Sequence, residues 1–251
     1  MLHDVIEFCS TELEKQLHWK SRNLFSITEE GRLHTNPSAI TSLIEHICDS
    51  SRALSEIAAR SFWHRAGFAK INLLDDYHST PNIRLHIWTE NSKMPELNGV
   101  HIHPWHLWST VIEGSLKFRI YRRSEVAGDE YAERILNAIE HKGFQEQPNG
   151  KSKLITTFDA TMTAGTSYFF LAGDIHDAAP GSSDRTLTCA IRSQFLTKES
   201  RAFDQPQIEK PVFATQSRIT APELLNLLAD EKRVPVCRNT NIQDLLTRQV
   251  A

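Results

Sequence analysis

Cysteine is scarce in this chain: four residues, at positions 9, 48, 189 and 237, are scattered without a Cys-x-x-Cys pair. Neither a zinc knuckle nor a disulfide framework is therefore expected, and the thiols are read as reduced and mostly buried packing. Long apolar runs are also missing. Stretches such as Tyr168 to Ala172 fall far short of the ~20 residues a membrane helix needs. The opening Met1-Leu2-His3-Asp4 lacks the basic-then-apolar pattern of a signal peptide, so a cytoplasmic protein is expected. Charge of one sign is not in excess either: 28 basic residues face 31 acidic ones, for a net charge of −3. No long-range field favours nucleic acid or an anionic membrane, and neither terminus is basic enough for a DNA-binding arm. No internal repeat or low-complexity tract is present. What these absences leave open is a small-molecule partner.

At 251 residues, 40% hydrophobic and 24% charged, the chain is long enough to bury a sizeable core around one main domain. Leu2, Val5, Ile6, Cys9, Leu13 and Leu17 recur at helical spacing. After Asn36-Pro37-Ser38 the same period runs through Ile40, Leu43, Ile44, Ile47, Leu54, Ile57 and Ala58, with a break near Asp49-Ser50-Ser51. From Phe68 the texture changes to short β-rich runs: Ala69 to Leu74, Ile83 to Thr89, Val100 to His103, Leu107 to Ile112, Leu116 to Tyr121, Leu154 to Met162, Ser167 to Leu171 and Thr186 to Phe195. Short strands without alternating helices predict a mainly β fold, an antiparallel sandwich or barrel. Between them, Tyr131, Ile135, Ala138 and Ile139 suggest a short helix before a polar loop, an insertion at about 124–152 that covers one mouth of the barrel. Thr220-Ala-Pro-Glu223 reads as a capping box opening a helix over Leu224 to Asp230. The organisation expected is a helical segment 1–66 packed on a barrel of 67–205, then an extension, 206–251.

The informative stretch is Gly99-Val-His-Ile-His-Pro-Trp-His-Leu-Trp-Ser-Thr-Val-Ile-Glu-Gly. His101 and His103 are two apart, so on a strand both imidazoles point to one face, as a metal pair must. Gly165-Thr-Ser-Tyr-Phe-Phe-Leu-Ala-Gly-Asp-Ile-His176 supplies a third candidate ligand after a Gly-Asp turn. The remaining histidines at 3, 18, 34, 46, 64 and 141 are assigned to solvated positions, and His78 and His86 to the margin of the pocket. These two segments resemble the paired motifs of the cupins, jelly-roll barrels that carry one metal. Counting from His103, three residues lead to Leu107 and six more to Gly114, so the glycine is in register while leucine replaces the usual glutamate. Gly165, Gly173 and His176 match the second motif, with Leu171 in place of its proline. The resemblance, over about half the chain, implies a cupin (jelly-roll) antiparallel barrel with N-terminal helices, a short C-terminal helical extension and one metal on His101, His103 and His176.

Three neutral histidines leave a divalent ion's charge uncompensated, so an anionic ligand such as a thiolate, enolate or carboxylate suits the site. Iron(II) with open positions for substrate and dioxygen gives an oxygenase; zinc, nickel or manganese gives a hydrolytic, isomerising or decarboxylating centre, and a non-catalytic binding module is the third reading. Among cupins without the glutamate, the chain is most similar to the thiol dioxygenases of the cysteine, cysteamine and mercaptopropionate group. The similarity rests on Asn82 to Trp88, Ile112 to Lys117, Gly173 to His176 and Ala202 to Gln205. It implies iron(II) and a dioxygenase, with Lys70 nearest to that family's carboxylate-binding arginine. The family's serine–histidine–tyrosine row is replaced by Thr188, Ala190 and Arg192, and no cysteine near Leu107 is placed for a tyrosine cross-link. A relative acting on another small anionic substrate is the expectation. Arg192 is the candidate that meets a substrate carboxylate, and His106 the candidate acid or base beside the metal. Arg84, His86 and Trp108 line the pocket with Lys70. Pairing through edge strands makes a homodimer the expected assembly.

Overall fold

The computed structural model describes residues 1–19, 24–29, 31–64, 66–75, 79–89, 99–139, 143–181, 185–197, 199–205 and 217–229. The expectations for His78, His141, Cys237 and most of 206–251 fall outside these residues. The chain opens with α1 (Leu2–Leu17), a hairpin of β1 (Phe25–Ile27) and β2 (Leu33–Thr35), then α2 (Pro37–Asp49) and α3 (Ser51–Arg60). Asn36 caps α2 by accepting from the Ser38 and Ala39 N–H groups at 3.1 and 3.3 Å, with Pro37 in the first turn. Ser50 ends α2 and caps α3 from its side chain, which is the physical content of the expected break. There follow β3 (Phe62–Trp63), β4 (Ala69–Asn72), β5 (Asn82–Thr89), β6 (Val100–Ile102), β7 (Leu107–Glu113), β8 (Ser115–Ser124), β9 (Asp129–Ile139) and β10 (Gly143–Thr163). The last elements are β11 (Ser167–Phe170), β12 (Ile175–Pro180), β13 (Arg185–Arg192), β14 (Glu199–Asp204) and α4 (Ala221–Leu228). The capping box of α4 is formed by Thr220 and Glu223.

Strand order defines the architecture. One antiparallel sheet runs β11-β7-β13-β5-β4-β3, and the other closes on itself as β10-β8-β12-β6-β14-β9. From β5 to β8 and from β10 to β14 the chain crosses between the sheets at each step, so the two are wound as an antiparallel jelly roll, the fold expected. The first sheet turns Ile71, Ile83, Leu85, Ile87, Leu187, Cys189 and Ile191 outward against Cys9, Leu13, Ile40, Leu43, Ile47, Leu54 and Ile57 of the helices. That helix-covered layer is the main apolar core, and truncating a fully buried member such as Ile57 costs about 2–5 kcal/mol. The opposite, inner face of this sheet looks toward the second sheet and carries polar groups.

The segment expected as a helix and loop is instead β9 and the first half of β10. Tyr131 and Glu133 are buried on alternate positions, and because the buried row includes a charged residue the apolar spacing imitated a helix. Pairing to β10 on one side and β14 on the other overrides the local signal. The hairpin is part of the second sheet and not a helical insertion. It returns along β14 to close the second sheet around a separate small core of Val100, Tyr121, Tyr131, Leu154, Ile175 and Phe203. The wall formed by β6, β8 and β12 is therefore shared. Its outward residues fill this small core, while Leu116, Phe118 and Ala178 face the first sheet.

Candidate metal centre

His101 lies on β6 and His176 on β12, directly opposite each other in the antiparallel pairing, and His103 follows one residue past the end of β6. Gly173, at φ 94°, makes the left-handed turn that brings the chain back into the sheet before His176, and its N–H donates to the His103 carbonyl at 3.1 Å. The three rings meet at centroid separations of 4.5, 4.6 and 5.0 Å, and one nitrogen from each lies within 4.8 Å of the others.

The hydrogen bonds set the tautomers. His101 Nδ1 donates to the Gly99 carbonyl and His176 Nδ1 to the Asp174 carbonyl at 2.9 Å, so the Nε2 lone pairs of both rings are left for a ligand. His101 Nε2 and His103 Nε2 are 3.1 Å apart. Burial, reinforced by the neighbouring imidazoles, holds His103 and His176 well below the ordinary histidine pKa. Three converging imidazoles fit a divalent cation, and the set contains no carboxylate.

Two aromatic walls flank the cluster. On one side His103 stacks on Trp105 at 4.7 Å and Phe170 lies 3.9 Å from His176. On the other, Phe68 lies 4.5 Å from His64, 4.7 Å from His86 and 4.8 Å from Trp88. The inner face of the first sheet supplies cations. Arg84 is 3% exposed with its guanidinium 5.3 Å from the Trp105 ring, and Lys70 is the cross-strand neighbour of His86. Burial first, then the charges of Arg84 and Lys70, keep His86 well below the usual histidine pKa. Arg84, His86 and Lys70 thus lie on the inner face of the first sheet, opposite the helix-covered core.

Arg192 points to the same side, yet its Nη1 donates to the Thr80 and Ser193 carbonyls at 2.8 and 2.9 Å and its guanidinium stacks on Trp105 and Phe195. These contacts brace the wall of the first sheet. Two other candidates are corrected. Along β7, Leu107 faces inward while Trp108 belongs to the helix-covered core and stacks on Phe169 at 5.0 Å. His106 shares that outward side, 6.1 Å from Trp108, and its Nδ1 accepts from the Ala172 N–H at 2.9 Å. The period of two that aimed His101 and His103 together aims His106 and Trp108 away. His46, expected in solvent, bonds the Leu17 carbonyl across the helices at 2.8 Å.

Sequence reasoning also missed His64 and Tyr168. His64 follows β3, accepts from the Ala66 N–H at 3.2 Å and sits 6.5 Å from His101. Nothing in its apolar surroundings marked it out, since a tight turn and not periodicity carries it inward. Tyr168 faces inward against Phe118 at 4.9 Å, where burial pushes its pKa up to about 12. Its alternation with Phe170 on β11 was the available signal.

No family profile matches the chain, and no curated protein is similar to it in sequence. Among solved structures it is similar to hydroxypropylphosphonic acid epoxidase from S. wedmorenis, at 12% identity over 50% of each chain with a TM-score of 0.30. An uncharacterized conserved protein with a double-stranded beta-helix domain from Klebsiella pneumoniae matches at 10% identity and TM-score 0.33, over 59% of this chain and 94% of that one. A cupin-like protein from Thermotoga maritima matches at 9% identity and TM-score 0.31, over 64% and 84%. The chain spans about half the length of the epoxidase. The fold rests on the strand order and not on these likenesses. Among the described residues no helix is long and apolar enough to cross a membrane.

Proposed function

We propose that the chain is a non-haem iron(II) oxygenase acting on a small anionic substrate, with His101, His103 and His176 as the metal ligands. The observation that carries this reading is a half-buried, carboxylate-free trio of histidines on the inner side of the jelly roll, toward which the first sheet turns Arg84 and Lys70. A trio of neutral ligands leaves the ion's full charge for an anion, and the cations of the opposing wall add to that field. When bound, iron would supply open coordination positions for substrate and dioxygen. The protein's own part is positional: carbonyls fix the ring tautomers, and Trp105, Phe170, Phe118 and Phe68 exclude water around the cluster. A thiol or an amino-acid-like compound is within this class. The inner row of β13 nevertheless offers Thr188, bonded to His86 at 3.4 Å, and Ala190 where the thiol dioxygenases carry their proton relay, which favours a different substrate.

Metal analysis of the purified protein and of His176→Ala, followed by oxygen uptake with a panel of thiols, amines and carboxylates, tests the proposal. About one iron per chain, lost in the variant, with uptake for some substrate supports it. Stoichiometric zinc, nickel or manganese without uptake would replace it by the non-oxidative reading. Wild-type protein that holds no metal after reconstitution would remove the metal centre, leaving a binding module.

A further inference from the structure

Trp105 is 7% exposed and lies inside the jelly roll, its ring stacked on the metal-ligand candidate His103 at 4.7 Å. The indole Nε1 is buried and has no hydrogen-bond acceptor among the described residues. The side chains packed with the ring, Leu107, Phe118, Phe170 and Ala190, are apolar, and Phe195 covers it at 4.8 Å. The guanidiniums of Arg84 and Arg192, 5.3 and 5.4 Å from the ring centre, can only donate. Buried N–H groups are almost always paired, so this one calls for an acceptor that its neighbours do not provide.

The chemistry of that acceptor is restricted. A water would answer the indole but bring two O–H donors of its own to neighbours that, His103 apart, offer no side-chain acceptor. A second full negative charge sealed among Leu107, Phe118, Phe170 and Ala190 would cost more than one neutral N–H returns. A carbonyl oxygen brings neither an unmet donor nor a charge. We infer that the Trp105 indole N–H receives an uncharged carbonyl oxygen of the substrate, which is then a carbonyl-bearing acid such as a keto acid or an N-acyl acid. Its carboxylate is the anion drawn to the metal, and its carbonyl, further along the molecule, meets Trp105. Trp105 becomes a substrate-contacting residue that selects against acids carrying only a thiol or an alkyl chain. The assignment rests on the oxygenase reading for the place of the carboxylate, and its own test is the contribution of the carbonyl.

That test is an NMR titration of zinc-loaded protein labelled with nitrogen-15 in tryptophan, zinc being diamagnetic. The chain has five tryptophans, and the indole signal lost in Trp105→Phe identifies the residue. The probes are two pairs that exchange one carbonyl oxygen for a methyl group: levulinate with 4-methylpentanoate, and 5-oxohexanoate with 5-methylhexanoate. In at least one pair the oxo acid should shift the Trp105 indole proton downfield in a saturable way. It should also bind about tenfold or more tighter than its methyl partner, the expected effect of meeting a buried donor. Trp105→Phe keeps an aromatic ring beside His103 and removes the N–H, so it should bring the two acids to equal affinity. Trp88 also has a buried Nε1 without an acceptor among the described residues, but its ring meets Phe68 and His86 and not a ligand candidate, so Trp88→Phe should leave the preference in place. Equal affinities within both pairs overturn the assignment, as does a Trp105 signal that ignores the carbonyl. A preference that survives Trp105→Phe, or is lost in Trp88→Phe, overturns it too. If Trp105→Phe does not fold, its signal is assigned by elimination from the other four Trp→Phe variants and the wild-type contrast decides. Zinc content of the same samples keeps the two ideas apart. Zinc held without a carbonyl preference removes this subsite alone, whereas a Trp105-dependent preference in protein that holds no zinc sustains the subsite and removes the metal centre.

Discussion

Replacing Glu133 by glutamine tests the closed sheet that β9 and β10 add to the jelly roll. The carboxylate is 3% exposed and accepts from Arg123 Nη1 and Nη2 at 2.5 and 2.9 Å, from Arg201 Nη1 at 2.5 Å, from Ser152 Oγ at 2.6 Å and from Asn149 Nδ2 at 2.9 Å. These donors come from β8, β10 and β14, so one carboxylate ties three strands to β9. Removing one partner of a buried pair costs about 3–5 kcal/mol, because it leaves the other charge without compensation. Here Arg123 and Arg201 are partly open to water, with side chains 44% and 33% exposed, and can rehydrate, so the lower end applies. About 3 kcal/mol is expected, and at roughly 2–4 °C per kcal/mol for a chain of this size the midpoint should fall by about 6–12 °C. Although burial alone would raise its pKa, the hydrogen bonds from Arg123, Ser152, Arg201 and Asn149 hold the Glu133 carboxyl well below the usual carboxylate range. Its folded pKa thus lies below its ordinary value of 4.5. The stabilisation is complete above that ordinary value and is lost as pH falls through the folded value. Thermal unfolding followed by circular dichroism should therefore show a constant gap between wild type and Glu133→Gln at neutral pH, narrowing only once the pH drops below about 4.5. Metal content should not change, since the network lies on the far side of the shared wall from the histidines. Equal midpoints at neutral pH, or a gap that persists unchanged into acid, would refute the reasoning.

His106→Ala should leave metal content intact and lower stability by about 1–3 kcal/mol, the cost of leaving the Ala172 N–H without its acceptor; loss of metal in this variant would restore His106 to the centre. Zinc or iron at about 1,000 times its dissociation constant should stabilise the wild type by about 4 kcal/mol and leave His101→Ala unmoved, as read by the concentration dependence of the melting midpoint. Thr220→Ala removes the capping box that opens α4 and should cost about 1 kcal/mol in denaturant unfolding, with no effect on metal binding.

How much of this was legible in the sequence depends on the length scale of the signal. The helices were legible because Val5, Cys9, Leu13 and Leu17, or Ile40, Leu43, Ile44 and Ile47, repeat against a single apolar surface. His101 and His103 were legible for the same reason at period two, and their convergence with His176 followed from a resemblance and not from periodicity. Strand β9 was not legible, because its buried row includes Glu133, whose place inside depends on arginines from strands distant in sequence. The same limit applied to Arg192. Alternation gave its side of the strand correctly, but whether a buried guanidinium meets a substrate or the chain's own carbonyls is decided by Thr80 and Trp105, far away in sequence.

The two faces of the shared wall explain why the candidate centre lies where it does. Asp177 follows His176 on β12 and so points the other way, where Arg119 grips its carboxylate with two nitrogens and the Tyr121 hydroxyl donates to it at 3.2 Å. Period-two geometry thus gives β12 one ligand on the inner side and one anchored carboxylate on the outer side. A metal ligand is only as fixed as the strand that carries it. On its outer side this strand is held by an ion pair in a small, separately closed core, not by the aromatic side chains packed around the histidines. The division lets the chamber wall carry Arg84, His86 and Lys70 without the strand's register depending on them, which is what a site needs if its lining is to serve a ligand.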